Sequence, residues 1–366
     1  MHIALFVNSF NIGGIERFVI TLANGLSSRH DVDIIVCKNV GILKDTLSQR
    51  INIYDLGNIN VKKSIMPLLK YINKHTPQIL ISGGVFLNII IVVCKIFSHT
   101  KVKYIVSQHS LFDSETKMFG PLSFIVPLMI LFLYSHADAV VAVSDSVNAW
   151  LNKIGIKKSL LCRIFNPIDI NEKTKHSFVE ENIYEEYLLY VGRLVSIKNI
   201  LLIFKAFKIV LSERRNLKLL IAGSGQEECF LKTKCQEIGI YESCIFLGNI
   251  AYPEPLIKNA RAVLIASFSE AMPFIVLESF ALNTYIVSTP AQGCLDIFKL
   301  IAYDYYTKSF TDAVEYSELI FKILSMQSPC DLSEKIEEIF GVKNIINQYE
   351  ALFVKIAGMN KIAENT

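Results

Sequence analysis

The chain has 366 residues, a length that predicts two domains rather than one. Apolar residues make up 52% and charged residues 19%, which excludes intrinsic disorder, collagen-like repeats and small disulfide scaffolds. A net charge of +3 argues against a general nucleic-acid binder, and a mean hydropathy of +0.39 brings membrane contact into consideration.

In chain order, the first half alternates short apolar, β-branched runs with helix-length amphipathic segments. Strands are predicted at 3–8, 32–37, 79–82, 104–107 and 139–143, with helical patterns such as 15–26 and 65–74 between them. Continuous apolar strands separated by helices imply a parallel sheet covered on both faces. The polar, charge-rich stretch 166–187 reads as a linker. The alternation then restarts at 188–191, 217–222, 245–247, 262–266 and 285–288. The fold class is therefore α/β: two Rossmann-like, doubly wound domains in series, with ligands expected at the carboxyl ends of the strands. The domain division is placed at 1–170 and 171–342.

Two stretches lack charge, 76–94 and 118–137. The second is long enough to span a bilayer. A span there would put parts of one sheet on opposite sides of a membrane, so a buried or interfacial helix is expected. The first apolar run, 3–7, is too short for a signal sequence and no basic segment precedes it, which predicts a chain not made for export. Eight scattered cysteines form no CxxC pair and read as buried thiols of a reducing compartment. The seven histidines all lie in the first half without metal-ligand spacing, so no metal is expected. Charge is uneven: residues 1–176 carry 19 Lys and Arg against 11 Asp and Glu, and the remainder 18 against 23. The two halves are thus expected to face different partners.

Three segments carry chemistry. Asn11-Ile12-Gly13-Gly14-Ile15-Glu16-Arg17 follows the first strand. Its glycines let backbone approach a ligand, and the next helix offers N–H groups to an anion. It is no dinucleotide fingerprint, because GxGxxG is absent. Arg193 and Lys198 follow the first strand of the second half, where two fixed cations suit a diphosphate. Glu270 ends a strand–loop junction. Glu278 falls on a following apolar helix expected to begin with Pro273, and a carboxylate among Phe274, Ile275, Leu277 and Phe280 is costly unless it binds something. A ribose, with two hydroxyls, fits it. Asp31-Val32-Asp33 imitates a metal-binding DxD but introduces a strand, the wrong end of a sheet for a ligand.

With these residues on the page, the chain resembles the retaining glycosyltransferases of the two-Rossmann (GT-B) architecture, the large group-1 or family-four class. The resemblance covers nearly the whole chain: the early Gly-Gly-Glu-Arg turn, the Gly192-Arg193 to Lys198 loop, the AGSGQE turn at 222–227 and the Glu270/Glu278 pair. Within the class it is similar to bacterial enzymes of lipid-linked oligosaccharide, O-antigen or capsule assembly. Ser107-Gln108-His109-Ser110 matches a segment there whose His faces the donor sugar.

The resemblance implies two domains facing a cleft. It also implies a nucleotide-sugar donor, most simply a UDP-sugar, and a lipid-linked saccharide acceptor. Arg193 and Lys198 would bind the diphosphate and Glu278 the ribose. Glu270 would orient the transferred sugar, with His109 reaching it from the first domain. Gly13 and Gly14 would pack against phosphates or acceptor, and a closing helix at 343–356 would return to the first domain. Ala271 stands where the family usually has Gly, and Asp296 stands near a position where Glu is common. The chemistry would be metal-independent front-face attack by an acceptor hydroxyl at the cytoplasmic face of the inner membrane. The protein would be held there peripherally on anionic lipid. Lys62, Lys63, Lys70 and Lys74, beside Ile65, Met66, Leu68 and Leu69, form an interfacial pattern.

Three other readings stand beside this one. One is a nucleotide-sugar epimerase or phosphorylase of the same fold. Another is a nicotinamide oxidoreductase, disfavoured because Gly223-Ser224-Gly225 lacks a third glycine. The last is a non-catalytic UDP-binding partner subunit.

Overall fold

The computed structural model describes residues 1–111, 125–169, 186–329 and 331–358. Most of the expected linker and the start of the uncharged stretch 118–137 lie outside them. The chain divides into two compact units, Met1–Pro167 with Phe340–Thr366, and Ile168–Ile339.

The first unit is built on a seven-stranded parallel sheet in the order β3-β2-β1-β4-β5-β6-β7. The strands are β1 (His2–Val7), β2 (Asp31–Val36), β3 (Ile51–Asp55), β4 (Ile79–Gly83), β5 (Lys103–Gln108), β6 (Ala139–Ala142) and β7 (Leu161–Arg163). Between them run α1 (Gly14–Leu26), α2 (Ile65–His75), α3 (Val85–Phe97), α4 (Val126–Tyr134) and α5 (Asp145–Lys153). The central strands are buried over nearly their whole length, as apolar runs covered on both faces must be. The uncharged stretch 76–94 resolves into β4 and most of α3, and α4 is only nine residues long. No helix among the described residues is long and apolar enough to cross a membrane.

The second unit holds a five-stranded parallel sheet, ordered β10-β9-β8-β11-β12. Its strands are β8 (Tyr187–Val191), β9 (Lys218–Ala222), β10 (Cys244–Gly248), β11 (Ala262–Ile265) and β12 (Ile286–Ser288). Its helices are α6 (Ile200–Glu213), α7 (Glu228–Ile238), α8 (Glu254–Asn259), α9 (Phe274–Ala281), α10 (Gln292–Ile301), α11 (Ala313–Leu324) and α12 (Leu332–Phe340). A core of Leu188, Phe204, Phe207, Leu219, Leu264 and Tyr316 lies between sheet and helices.

The last helix, α13 (Val342–Ala357), belongs to the first unit. Its buried residues Ile345, Ile346, Tyr349, Leu352 and Phe353 recur at helical spacing and form one stripe. That stripe packs on α1, where Gly25 leaves room for Ile346, and the Tyr349 ring meets Phe18 at 6.3 Å between centroids. Arg29 and His30 close the contact from α1's end, reaching the Glu350 carboxylate at 2.8 and 2.9 Å.

Of the seven described cysteines, Cys229 is exposed and Cys162 half-buried, so the expectation of buried thiols holds for the other five only. Pro273 precedes α9 as its N-cap instead of opening it. A proline's fixed φ suits either position, and the difference is one residue.

Candidate active site

In the second unit the expected residues gather at the carboxyl ends of β8 and β11, adjacent strands of the sheet. The loop after β8 carries Arg193 and then a single 3-10 turn, Ser196–Lys198, before α6 begins. Backbone bonds hold this loop from below. The Leu194 amide donates to the Ser224 carbonyl at 2.9 Å, and the Glu227 amide to the Leu194 carbonyl at 3.0 Å. The Tyr190 hydroxyl donates to the Arg193 carbonyl at 2.9 Å. Burial, with the nearby Glu270 charge, pushes the Tyr190 phenol up and keeps it a donor.

The glycines of the 222–227 turn serve this support. A Cβ on Gly223 would overlap the Gly192 carbonyl, and one on Gly225 the Leu194 carbonyl. They permit backbone to pack on backbone beneath Arg193, a role distinct from cradling a cofactor.

Arg193 itself is exposed and makes no ion pair among the described residues. Lys198 differs: its Nζ donates to Glu270 Oε1 at 2.5 Å, with the two side chains only 20% and 12% exposed. The sequence treats Lys198 and Glu270 as groups for different parts of a ligand; the fold joins them directly. The Ser267 hydroxyl donates to the same Glu270 oxygen at 2.6 Å. Ser267 lies three residues before Glu270, yet only the fold gives it this role. A cation and a hydroxyl on one oxygen fix the carboxylate's orientation.

The backbone of this loop is fixed as well. The Gly293 amide, in the first turn of α10, donates to the Glu270 carbonyl at 2.9 Å, and a Cβ there would overlap the Ala271 carbonyl. Thr289 Oγ1 donates to the Ser267 carbonyl at 2.7 Å. Ala271 is buried, and it is absent from the non-glycine residues with positive φ, so its methyl is accommodated without backbone strain. Cys294 is fully buried near the pair, and burial pushes its thiol up, which leaves it a neutral, unreactive group. Glu278 lies on α9, 3% exposed, and Asp296 is half-buried on α10.

In the first unit, Gly13 caps α1 and Gly14 begins it. The Gly13 backbone is extended. Its missing side chain matters because the Glu16 carboxylate occupies the space a Cβ would take, and burial raises the Glu16 carboxyl. His109 follows β5. Its ring lies 4.3 Å from Phe18 of α1, and its Nε2 would stand 3.1 Å from a Cβ on Gly83 at the end of β4. Gly13, Gly14 and His109 thus meet at the carboxyl ends of β1, β4 and β5, which are neighbours in the sheet.

The His109 Nε2 is buried with no hydrogen-bond partner among the described residues, while the residue as a whole is half-buried. Burial holds this imidazole down to about 3. A neutral His109 should therefore show no ring titration by NMR between about pH 5 and pH 8. Unfolded, the ring takes up a proton at its ordinary value near 6.5, so its contribution to stability is present above that pH. That contribution should fade as pH falls from there towards 3. A midpoint near neutrality would show that the ring is solvated and charged in the acid range.

Asp31 and Asp33 stand at the amino end of β2, away from these loops. Asp33 is fully engaged: it accepts from Tyr71 Oη, from Asn52 Nδ2 at 3.0 Å and from His2 Nε2 at 2.8 Å. Burial raises its carboxyl, but these hydrogen bonds outweigh that and leave it below the usual range.

The chain also matches known proteins over most of its length. Residues 171–339 match the model for glycosyl transferases group 1, and residues 12–172 that for glycosyltransferase family 4. The chain is 26% identical over 317 residues to a Campylobacter jejuni α-1,4-N-acetyl-D-galactosaminyltransferase acting on an undecaprenol-linked saccharide, covering 82% of each. It is 22% identical to the Escherichia coli O-antigen biosynthesis glycosyltransferase WclY, covering 93% of each. Its fold is shared with Anabaena HepE in complex with UDP, at a TM-score of 0.77 and 16% identity, covering 97% of this chain and 100% of that one. Sucrose-phosphate synthase from Thermosynechococcus elongatus gives a TM-score of 0.79 at 17% identity, covering 98% and 99%. Two Rossmann-like parallel-sheet domains, the two family matches and relatives in bacterial glycan assembly make this chain a GT-B-fold glycosyltransferase of the group 1 and family 4 class.

Proposed function

We propose that the protein is a retaining glycosyltransferase that moves a sugar from a UDP-sugar to a lipid-linked saccharide acceptor in bacterial surface polysaccharide assembly. The observation that carries this reading is the second unit's loop pair: exposed, unpaired Arg193 beside the fixed Lys198–Glu270 couple. The leaving diphosphate needs cationic stabilisation, and Arg193 is placed for it. Lys198, held by Glu270, supplies a second positive charge near the same position. Glu270 presents a carboxylate of fixed orientation to the hydroxyls of the moving sugar. Glu278 binds the ribose from α9. His109, neutral, is assigned to the moving sugar, which it can bond only once its buried Nε2 is uncovered. Gly13 and Gly14, at the start of α1, are assigned to the phosphates or the acceptor, on the side that the Glu16 carboxylate does not fill.

The Campylobacter jejuni relative is named for an undecaprenol-linked saccharide, which supports a lipid-linked acceptor here; the enzyme is proposed to meet it at the cytoplasmic face of the inner membrane, attached peripherally to anionic lipid. Calorimetric titration with UDP tests the nucleotide assignment. Glu278→Ala should weaken UDP and raise the donor KM with little change in kcat, because ribose binding is uniform between ground and transition states. Equal UDP affinity in wild type and variant would remove Glu278 from the ribose.

The reaction is proposed to be metal-independent. Leaving-group charge is met by Arg193 and Lys198, and Asp33, the second carboxylate of the DxD-like segment, is engaged by three side chains. Turnover should therefore persist in EDTA. Its loss in EDTA, with rescue by Mn²⁺ or Mg²⁺, would contradict this.

A further inference from the structure

Four helices of the first unit, α2, α3, α4 and α5, share one face of its sheet, with α5 at the β7 edge. α2, α3 and α4 make the crossovers from β3 to β4, β4 to β5 and β5 to β6, which all step in the same direction along the strand order. Right-handed crossovers then place all three on the same side. α3 packs against both α2 and α4.

The outward surface of this layer is unusual. α4 reads VPLMILFLY, with no charge. Val126, Ile130 and Tyr134, four apart, are buried, and Tyr134 Oη joins Asn88 of α3 at 2.8 Å. The opposite side is apolar too: Leu128 is 63% exposed and Phe132 65%, with Met129 beside them. α3 adds Ile96 and Phe97, the latter 68% exposed. A helix apolar all round is normally enclosed, and apolar side chains exposed together on neighbouring helices mark a partner.

α2 supplies the other component. Leu68, Tyr71 and Ile72 face the core, so Leu68 is not part of an interfacial surface as its sequence pattern suggests. Met66 points outward with Lys62, Lys63, Lys70 and Lys74. None of these four lysines is ion-paired among the described residues. Most telling, α2, α3 and α4 contain no Asp or Glu at all. A protein partner would be free to carry either sign, whereas a basic stripe beside an apolar patch, with no carboxylate on any of the three helices, complements an anionic lipid surface.

We propose that the outward face of α2, α3 and α4 is the membrane-docking surface of this enzyme. Phe97, Leu128 and Phe132 enter the headgroup–acyl boundary, and Lys62 and Lys63, in the turn before α2, lie over anionic headgroups with Lys70 and Lys74 of α2. This extends the reading of a lipid-linked acceptor, which must be met at a bilayer, but the docking itself needs neither donor nor acceptor.

The test is sedimentation of the full chain with phosphatidylcholine vesicles, with and without phosphatidylglycerol. The wild type should bind the anionic vesicles at low salt and leave them as salt rises. Leu128→Ser with Phe132→Ser should lower partitioning by at least about tenfold. Lys62→Gln, Lys63→Gln, Lys70→Gln and Lys74→Gln together should lower it by at least about 100-fold. Lys205→Gln, Lys208→Gln, Lys258→Gln and Lys299→Gln, all exposed in the second unit, control for net charge and should bind nearly as wild type. Circular dichroism and UDP binding of each variant establish that the fold and the nucleotide site persist. Wild-type partitioning in both the apolar and the lysine variants overturns the surface, as does a wild type that ignores anionic vesicles. A wild-type dimer that Leu128→Ser/Phe132→Ser makes monomeric also overturns it, by showing a second copy as the occupant. Lost vesicle binding with intact UDP binding separates failure of docking from failure of the glycosyl-transfer reading.

Discussion

Glu270→Ala should lower kcat by about 100-fold, the cost of a reacting group held slightly out of place, while UDP affinity stays near that of the wild type. Glu270 is positioned by two donors on one oxygen, Lys198 Nζ at 2.5 Å and Ser267 Oγ at 2.6 Å, and by the Gly293 amide on its carbonyl. That much structure invested in one carboxylate's orientation fits a group acting on the moving sugar, whose contact counts in the transition state. The variant also strands Lys198, only 20% exposed, without its counter-charge, so some loss of stability is expected. A thermal melt alongside the kinetics separates the two effects. Lys198→Ala and the double variant should be non-additive with Glu270→Ala, since the two groups act as a pair. Unchanged kcat in folded Glu270→Ala would place the sugar elsewhere.

Arg193→Ala should lose roughly 10- to 150-fold in kcat/KM, the equivalent of a charge-assisted hydrogen bond of about 1.5–3 kcal/mol to the leaving diphosphate. Arg193 is exposed and unpaired, and its loop is held through backbone and Tyr190, so the substitution should leave stability within about 0.5 kcal/mol. Arg193→Lys should recover only part of the loss, because an ammonium cannot reproduce the bidentate fork. Wild-type kinetics in Arg193→Ala would mean that the diphosphate lies away from this loop.

The contrast between these two residues shows what the sequence could disclose. Arg193, Lys198, Glu270 and Glu278 stand out as charges at strand ends or in apolar context, and short-range pattern suffices to find them. The Lys198–Glu270 pair joins groups 72 positions apart, and nothing local announces it. Ser267 and Gly293 are small residues whose roles exist only once β11 and α10 are adjacent. The strands divide in the same way. Central β1, β2, β4 and β5 are continuous apolar runs and legible. β3 and β7, at the two ends of the sheet order, carry no strand pattern: INIYD mixes polar and apolar residues, and Leu161–Arg163 has only three. An edge strand needs less burial and leaves a weaker imprint. α4 fails for the opposite reason. Its composition is apolar all round, so periodicity could not tell which side faces outward.

The most direct test of the central claim is the product itself. The purified enzyme would be incubated with α-linked UDP-sugars, one at a time, and an undecaprenyl-diphosphate-linked oligosaccharide, with mass spectrometry and NMR of the glycan. The account predicts that one donor adds a single sugar to the acceptor, joined through an α-anomeric bond, with release of UDP. A β-linked product would contradict retention. Conversion of the donor to an isomeric sugar with no gain in acceptor mass would contradict glycosyl transfer to this acceptor.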